Sequence, residues 1–159
     1  MGDKGFVLLP GAEPPGCYEP LMNHTYGEKL NFAHFGTLAA DRSLVPILKA
    51  LDVLFKEISA AKSKVLINVY GTGMDVASRE AVEVLGMQNT VVEHGRFPRA
   101  DAVKLIRSAD VLLALHGTGE WAVECIPSKI YDYFWSDRPI LGVVDRSEQL
   151  RLLLEDRNS

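Results

Sequence analysis

The residues best suited to chemistry lie between Glu124 and Phe134, in the order Glu-Cys-Ile-Pro-Ser-Lys-Ile-Tyr-Asp-Tyr-Phe. They follow an apolar run, Ala109 to Leu115, and a loop containing Gly117 and Gly119. The run reads as a buried strand, and Pro127 onward reads as a helix. Proline is favoured at the first helical position, and the backbone N–H groups after it have no intrahelical acceptor. Those groups and the positive end of the helix dipole suit a phosphate. On this reading Ile126 to Lys129, with Pro127 and Ser128 between them, hold a diphosphate, and the Lys129 ammonium adds charge. Asp132, about one turn further on, is placed to accept hydrogen bonds from ribose hydroxyls. The plainer alternative is an amphipathic helix with Ile130, Tyr133 and Phe134 in the core and Lys129 and Asp132 in water.

Other segments offer complementary chemistry. Gly36-Thr37 ends an apolar stretch, and a glycine there lets a ligand approach the backbone, although a tight turn needs the same residue. Arg42 can reach back as a fixed positive charge; its local alternative is a surface arginine at a helix start. Gly71-Thr72-Gly73 lacks full Gly-x-Gly-x-x-Gly spacing and is read as a simple turn. In Glu93-His94-Gly95-Arg96-Phe97 the backbone can read a base edge, and Arg96 or Phe97 can stack on the ring. The alternative is a loop anchored by Phe97, and both readings stay open. His116 is read as structural in preference to an acid or electrostatic helper. His24, His34 and Cys17 show no partner pattern and are assigned nothing. No Ser-His-Asp order, Cys-His pair, zinc spacing or Asp-x-Asp pair emerges, so neither a metal nor a cofactor is expected.

The elements that must position these groups alternate along the chain. Strands are predicted at Leu30 to Phe35, Lys64 to Tyr70, Asn89 to Val92, Asp110 to Leu115 and Pro139 to Val144. Between them lie helical stretches. The first starts at Asp41 or Ser43 and places Leu44, Ile47, Leu48, Leu51, Leu54, Phe55 and Ile58 on one face, with Pro46 in its first turn. The second is capped by Asp75 and runs through about Leu85, with Gly86 as its stop. A third covers about Arg99 to Arg107, and a last one, capped by Ser147, runs through about Glu155. Alternation of this kind means an α/β domain with a parallel sheet covered on both faces. The expected strand order is 3-2-1-4-5, doubly wound, with a switch point between the first and fourth strands. Ligands bind outside the carboxyl ends of strands at such a point. Gly36-Thr37 and the Pro127 loop both fall there.

Residues 1–30 read as an irregular linker. Phe6 to Leu9 could be a short extended piece, broken by Pro10-Gly11 and Pro14-Pro15-Gly16. Residues 31–159 form one domain, and the length of 159 residues suits one core. The sheet looks incomplete, so a domain of a longer protein is expected. A formal net charge of −4 gives no global field favouring nucleic acid. Two cysteines are too few for a disulfide framework, and reduced thiols in the cytoplasm are expected. No signal peptide or transmembrane run is apparent.

From about Asn31 to Ser159 the chain resembles the C-terminal, donor-binding domain of GT-B glycosyltransferases of the retaining "group 1" class. Four segments carry the likeness. They are Phe35-Gly36-Thr37-Leu38 with the helix after it; Val65 to Gly73 with the strand ending near Val92 and Gly95; Ser108-Ala109-Asp110-Val111-Leu112-Leu113; and Ile126 to Phe134 followed by Arg138-Pro139-Ile140-Leu141. The last is the most specific.

The resemblance implies a three-layer Rossmann-like sheet forming half of a GT-B fold. It implies binding of a nucleoside diphosphate sugar and transfer of a hexosyl group to a hydroxyl acceptor, as in polysaccharide biosynthesis. Gly36, Thr37, Arg42, Pro127, Ser128 and Lys129 would contact the diphosphate, Asp132 the ribose, and His94, Gly95, Arg96 and Phe97 the base. Glu124, eight positions before Asp132, would contact the donor sugar near the reacting carbon and is the catalytic candidate. The sequence departs from the family at Thr37, where an arginine is common, at Asp132, which replaces a glutamate, and at Glu124-Cys125-Ile126-Pro127, which replaces a Glu-Gly-Phe-Gly turn. The acceptor, a glycan, lipid-linked glycan or protein, would be bound by an absent N-terminal domain or a partner, through which the protein could also sit at a membrane. Alone, the domain is expected to be inactive. A sugar-nucleotide epimerase of the same architecture and a non-catalytic sugar-nucleotide-binding module remain alternatives.

Overall fold

A computed structural model describes residues 26–157. The readings on Phe6 to Gly16, and Cys17 and His24, lie outside these residues. Among the described residues, parallel strands β1 (Leu30–Phe35), β2 (Val65–Tyr70), β3 (Val91–Gly95), β4 (Val111–Leu115) and β5 (Ile140–Val143) form one sheet in the order β3-β2-β1-β4-β5. This is the doubly wound order expected from the sequence, with the switch between β1 and β4. The helices are α1 (Val45–Glu57), α2 (Val76–Val84), α3 (Arg99–Ser108), α4 (Lys129–Phe134) and α5 (Glu148–Arg157), with short 3₁₀ turns at Ser59–Lys64 and Glu120–Val123.

Alternation along the strands divides the apolar side chains between two cores. On one face Ile67, Val69, Leu113 and Leu115 pack with Leu44, Leu48 and Leu51 of the α1 region and Val82 of α2. On the other, Ala33, Phe35, Leu112 and Ala114 pack with Ile106 of α3, Ile130 and Tyr133 of α4, and Leu150 of α5. Each fully buried leucine or isoleucine contributes roughly 1.5–3 kcal/mol relative to an exposed one. A sheet apolar on both faces needs helices on both, which a chain alternating strand and helix supplies.

Capping follows the sequence in two places. Asp75 accepts from Ser78 N at 3.1 Å, and Ser147 Oγ accepts from Leu150 N at 3.3 Å. Gly86, at φ 62°, ends α2.

Three expectations are corrected. First, α1 begins at Val45, because Ala39 and Arg42 exchange backbone hydrogen bonds (2.8 and 3.1 Å) in a tight turn that occupies the predicted start. Ile58 lies just past its C-terminal end and is exposed. Second, β3 runs from Val91 to Gly95, not Asn89 to Val92. Thr90 N and Val91 N both bond to the Met87 carbonyl, so Asn89 belongs to the turn, and His94 and Gly95 are strand residues. Third, α4 starts at Lys129, two residues after Pro127. Ile130 N bonds to Pro127 O at 3.0 Å and Tyr131 N to Ser128 O at 3.2 Å, so the entry is a tighter turn with Pro127 ahead of the helix.

Candidate functional site

Two adjoining clefts open at the carboxyl ends of β1 and β2 and share Phe35, Gly36, Thr37 and Ala102. The larger, of about 440 Å³, is also lined by Arg42, Pro127, Ser128, Lys129 and Asp132. The smaller, of about 270 Å³, adds Tyr70, Gly71, Thr72, Arg96 and Phe97. The fold therefore gathers Gly36, Thr37, Arg42, Pro127, Ser128, Lys129 and Asp132 into one depression, although they are about 90 positions apart in the chain, while Ile126, also read as a diphosphate contact, packs against the core instead.

The backbone at the cleft edge is built for close approach. Gly36 takes φ 120° and donates to Tyr70 O at 2.8 Å, and Gly71 takes φ 150° and donates to Gly95 O at 2.8 Å. A Cβ at Gly71 would overlap the Gly36 carbonyl. Gly71 and Thr72 form a bend after β2 and line the smaller cleft. Glu93 secures it, accepting from Met74 N and from Arg79 Nη2 at 3.0 Å.

The positive charge of the larger cleft comes from side chains. With α4 only six residues long, its dipole is weak, and the cations Lys129 and Arg42 dominate. Lys129 Nζ donates to the Phe35 carbonyl at 3.1 Å. Burial, with the facing Arg42 charge, lowers its pKa to about 7. Arg42 lies over the Trp121 ring, 5.8 Å from its centroid, and its Nε is buried with no hydrogen-bond partner among the described residues. An unmet guanidinium donor beside an open cleft suits an anionic ligand. The turn carrying Arg42 is fixed from both sides: Thr118 N donates to Asp41 O at 3.0 Å, and Leu44 N donates to Ser78 Oγ at 2.9 Å.

Asp132 stands at the rim and pairs with Arg99 of α3, with Nη2 to Oδ1 at 2.8 Å. Tyr133 beside it is fully buried, accepting from Phe35 N at 3.1 Å, and burial raises its pKa. That bond fixes α4 against the end of β1.

The smaller cleft has an aromatic floor. The Tyr70 ring stacks between Phe35 (4.6 Å) and His94 (4.6 Å) and meets Phe97 edge-on at 5.6 Å. His94 does not line either cleft. Its Nε2 donates to Asn68 Oδ1 at 2.6 Å, and Asn68 Nδ2 donates to Asn31 Oδ1 at 2.6 Å, a polar chain crossing the sheet. Gly95 also lies outside the lining, with its carbonyl bonded to Gly71. Arg96 and Phe97 do line the cleft. Glu124 is exposed at the end of the Glu120–Val123 turn and lines neither cleft. His116 is buried, with Nε2 2.7 Å from the Cys125 carbonyl and Nδ1 unpartnered among the described residues.

Sequence reasoning missed Tyr70, Arg99 and His34. Tyr70 ends an apolar strand, a position where an aromatic ordinarily means core. Arg99 is 33 positions from its partner, and no local spacing reveals the pair. His34 is a lone histidine within a strand.

This layout recurs as part of several solved glycosyltransferase structures. No protein-family model matches the sequence, and no curated protein matches it. Among solved structures, WaaG, a glycosyltransferase involved in lipopolysaccharide biosynthesis, aligns with TM-score 0.65 and 18% identity over 84% of this chain and 33% of that one. An α,α-trehalose-phosphate synthase (UDP-forming) from Burkholderia xenovorans, in complex with glucose-6-phosphate, aligns with TM-score 0.59 and 13% identity over 79% of this chain and 31% of that one. The pneumococcal O-GlcNAc transferase GtfA, in complex with UDP and GlcNAc, aligns with TM-score 0.56 and 17% identity over 77% of this chain and 22% of that one. The chain thus spans a third or less of the length of these proteins. At such identities the likeness is one of fold, and it agrees with the resemblance read from the residues. Among the described residues no helix is long and apolar enough to cross a membrane.

Proposed function

We propose that this chain binds the nucleoside diphosphate part of a sugar donor and forms the donor side of a glycosyltransferase, a hydroxyl acceptor being held by a second domain or a partner chain. The observation that carries this reading is the larger cleft. It joins a Cβ-free strand end at Gly36, the two cations Lys129 and Arg42, and a carboxylate at its rim in Asp132. A diphosphate needs the first two and a ribose the third. The adjoining cleft, with the aromatic floor of Tyr70 and Phe97 and with Arg96 also in its lining, offers faces on which a base can stack.

In glycosyl transfer the diphosphate gathers negative charge as its bond to the sugar breaks. Lys129, Arg42 and the backbone N–H groups of Thr37, Ser128 and Lys129 would stabilise that charge, and they are held in place before the reaction. The chain's own groups thus act on the leaving group, and no step is assigned to a metal. Glu124 is the candidate for contact with the donor sugar, on a segment next to the cleft.

Calorimetric titration with UDP, GDP and ADP tests the reading. Saturable binding of at least one, competed by inorganic pyrophosphate, is expected. Absence of saturable binding by all three at millimolar concentration overturns it. Sugar transfer on addition of an acceptor-binding domain or chain would extend it from donor binding to catalysis.

A further inference from the structure

His34 lies directly beneath the floor of the larger cleft, fully buried on β1, two residues before Gly36. Its ring nitrogens face different partners. Nδ1 is 3.2 Å from the Leu113 carbonyl of β4, and Nε2 is 3.5 Å from Lys129 Nζ. A carbonyl only accepts, so Nδ1 carries the proton and donates. Nε2 then presents a lone pair to an ammonium that can only donate. The Phe35 carbonyl takes another Lys129 N–H at 3.1 Å. Two acceptors below therefore fix the head group, and its remaining N–H is left for the cleft. On that side Gly36 has no side chain; a Cβ there would stand 3.6 Å from Nζ.

The groups facing Lys129 explain why a neutral acceptor belongs here. From β1 come His34 and the Phe35 carbonyl and from the β1–α1 connection the Arg42 cation, while Asp132 and Tyr133 of α4 line the same cleft. Asp132 is engaged by Arg99 of α3, and Tyr133 by Phe35 N. No carboxylate hydrogen-bonds to Lys129 among the described residues. A carboxylate in place of His34 would neutralise the ammonium and compete with an incoming anion. An imidazole held neutral orients the ammonium without spending its charge. Burial, then the charges of Lys129 and Arg42, lower the His34 pKa to about 3, which agrees with that neutral form.

We propose that His34 is a positioning residue for the diphosphate contact: its Nε2 lone pair holds the Lys129 ammonium at the Gly36 edge of the cleft, aimed at the ligand. The proposal rests on the diphosphate reading of the cleft.

Two variants separate positioning from packing. His34→Asn can keep the donor to Leu113 but is too short to reach Lys129; His34→Gln can present an acceptor to Lys129. UDP, GDP and ADP are titrated calorimetrically into wild type and both variants over roughly pH 6 to pH 8.5. With the nucleotide that wild type binds best, His34→Asn is expected to weaken affinity about 10-fold and His34→Gln to restore most of it, the magnitude of one hydrogen bond to a charged group. The loss should vanish in a Lys129→Met background, where there is no ammonium to orient. Equal affinity of wild type and His34→Asn overturns the proposal and leaves the diphosphate reading standing, and so does an equal loss in both variants. No binding by wild type overturns both. Independently of ligand and of how the variants fold, long-range proton–nitrogen NMR of the wild-type imidazole should show the Nδ1-protonated tautomer; the Nε2-protonated form overturns the assignment.

Discussion

Arg99 Nη2 lies 2.8 Å from Asp132 Oδ1, and Nη1 lies 3.4 Å from Oδ2, so one guanidinium spans both carboxylate oxygens across α3 and α4. The arginine side chain is largely exposed, and such a pair adds little to stability, about 0–1 kcal/mol. Its consequence is geometric. It holds the carboxylate in one orientation at the cleft rim, and each oxygen keeps a lone pair free for a diol.

Replacing Asp132 should therefore act on the ribose and not on the diphosphate. Asp132→Ala is expected to weaken nucleoside diphosphate binding by about 10-fold or more, the scale of a hydrogen bond to a charged group. Inorganic pyrophosphate should bind as it does to wild type. Arg99→Ala should cost only a few-fold. Competition calorimetry separates these outcomes, and loss of pyrophosphate affinity in Asp132→Ala would remove the ribose assignment.

The glycine at the end of β2 makes a sharper structural prediction. Gly71 sits at φ 150°, with the Gly36 carbonyl where a side chain would begin. Gly71→Ala has to move the β1 and β2 ends apart as well as strain the backbone, which alone costs of order 1–3 kcal/mol. Urea denaturation should show destabilisation of about 2 kcal/mol or more. Gly95→Ala also has positive φ, at 73°, but nothing lies within 4 Å of the added carbon, so its loss should be smaller. Equal losses would show that the Gly36–Gly71 approach is not tight.

Elements with strong periodicity were legible from the residues. β1 was bounded at Leu30 and Phe35 by its apolar run and Gly36, and Asp75 and Ser147 announced their helices as caps. β3 was misplaced because it is an exposed edge strand whose last residues, Glu93-His94-Gly95, carry no apolar alternation. Pairing with β2 decides its bounds, and pairing is not local. The same holds for the site. The residues at the Pro127 turn and at Gly36 could be read from type and position, while the contacts of Arg99 with Asp132 and of His34 with Lys129 exist only once the sheet brings α3, α4 and β1 together.

His34 should also mark the protein's acid limit. The folded state holds it near pKa 3, against 6.5 for the free side chain. Between these values the unfolded chain carries a proton that the folded chain excludes, so stability falls as pH drops from about 6.5 toward 3. His34→Gln, which cannot titrate, should show a shallower fall over that window. Urea midpoints measured at steps from pH 7 to about pH 4 give the comparison, with carboxylate effects common to both proteins. Parallel curves would mean that His34 does not titrate on unfolding.

Lys129 should show opposed effects on stability and binding. Its pKa of about 7 in the fold, against 10.5 for the free side chain, means that between those values only the unfolded chain keeps the proton. Stability should therefore rise with pH across that window. Lys129→Met removes the buried charge while keeping an unbranched chain, and buried charges replaced by apolar groups are often neutral or stabilising. At pH 6, where the wild-type ammonium is charged, the variant should be at least as stable as wild type. It should nevertheless bind nucleoside diphosphate about 10- to 100-fold more weakly, having lost a charge-assisted contact. In wild type, an anion that favours the charged form raises the lysine pKa, so binding above about pH 7 takes up a proton and weakens as pH increases. Calorimetry in buffers of different ionisation enthalpy reads that uptake directly. A Lys129→Met protein that loses stability at pH 6 but keeps its affinity would make the lysine a structural residue and leave Arg42 as the diphosphate contact.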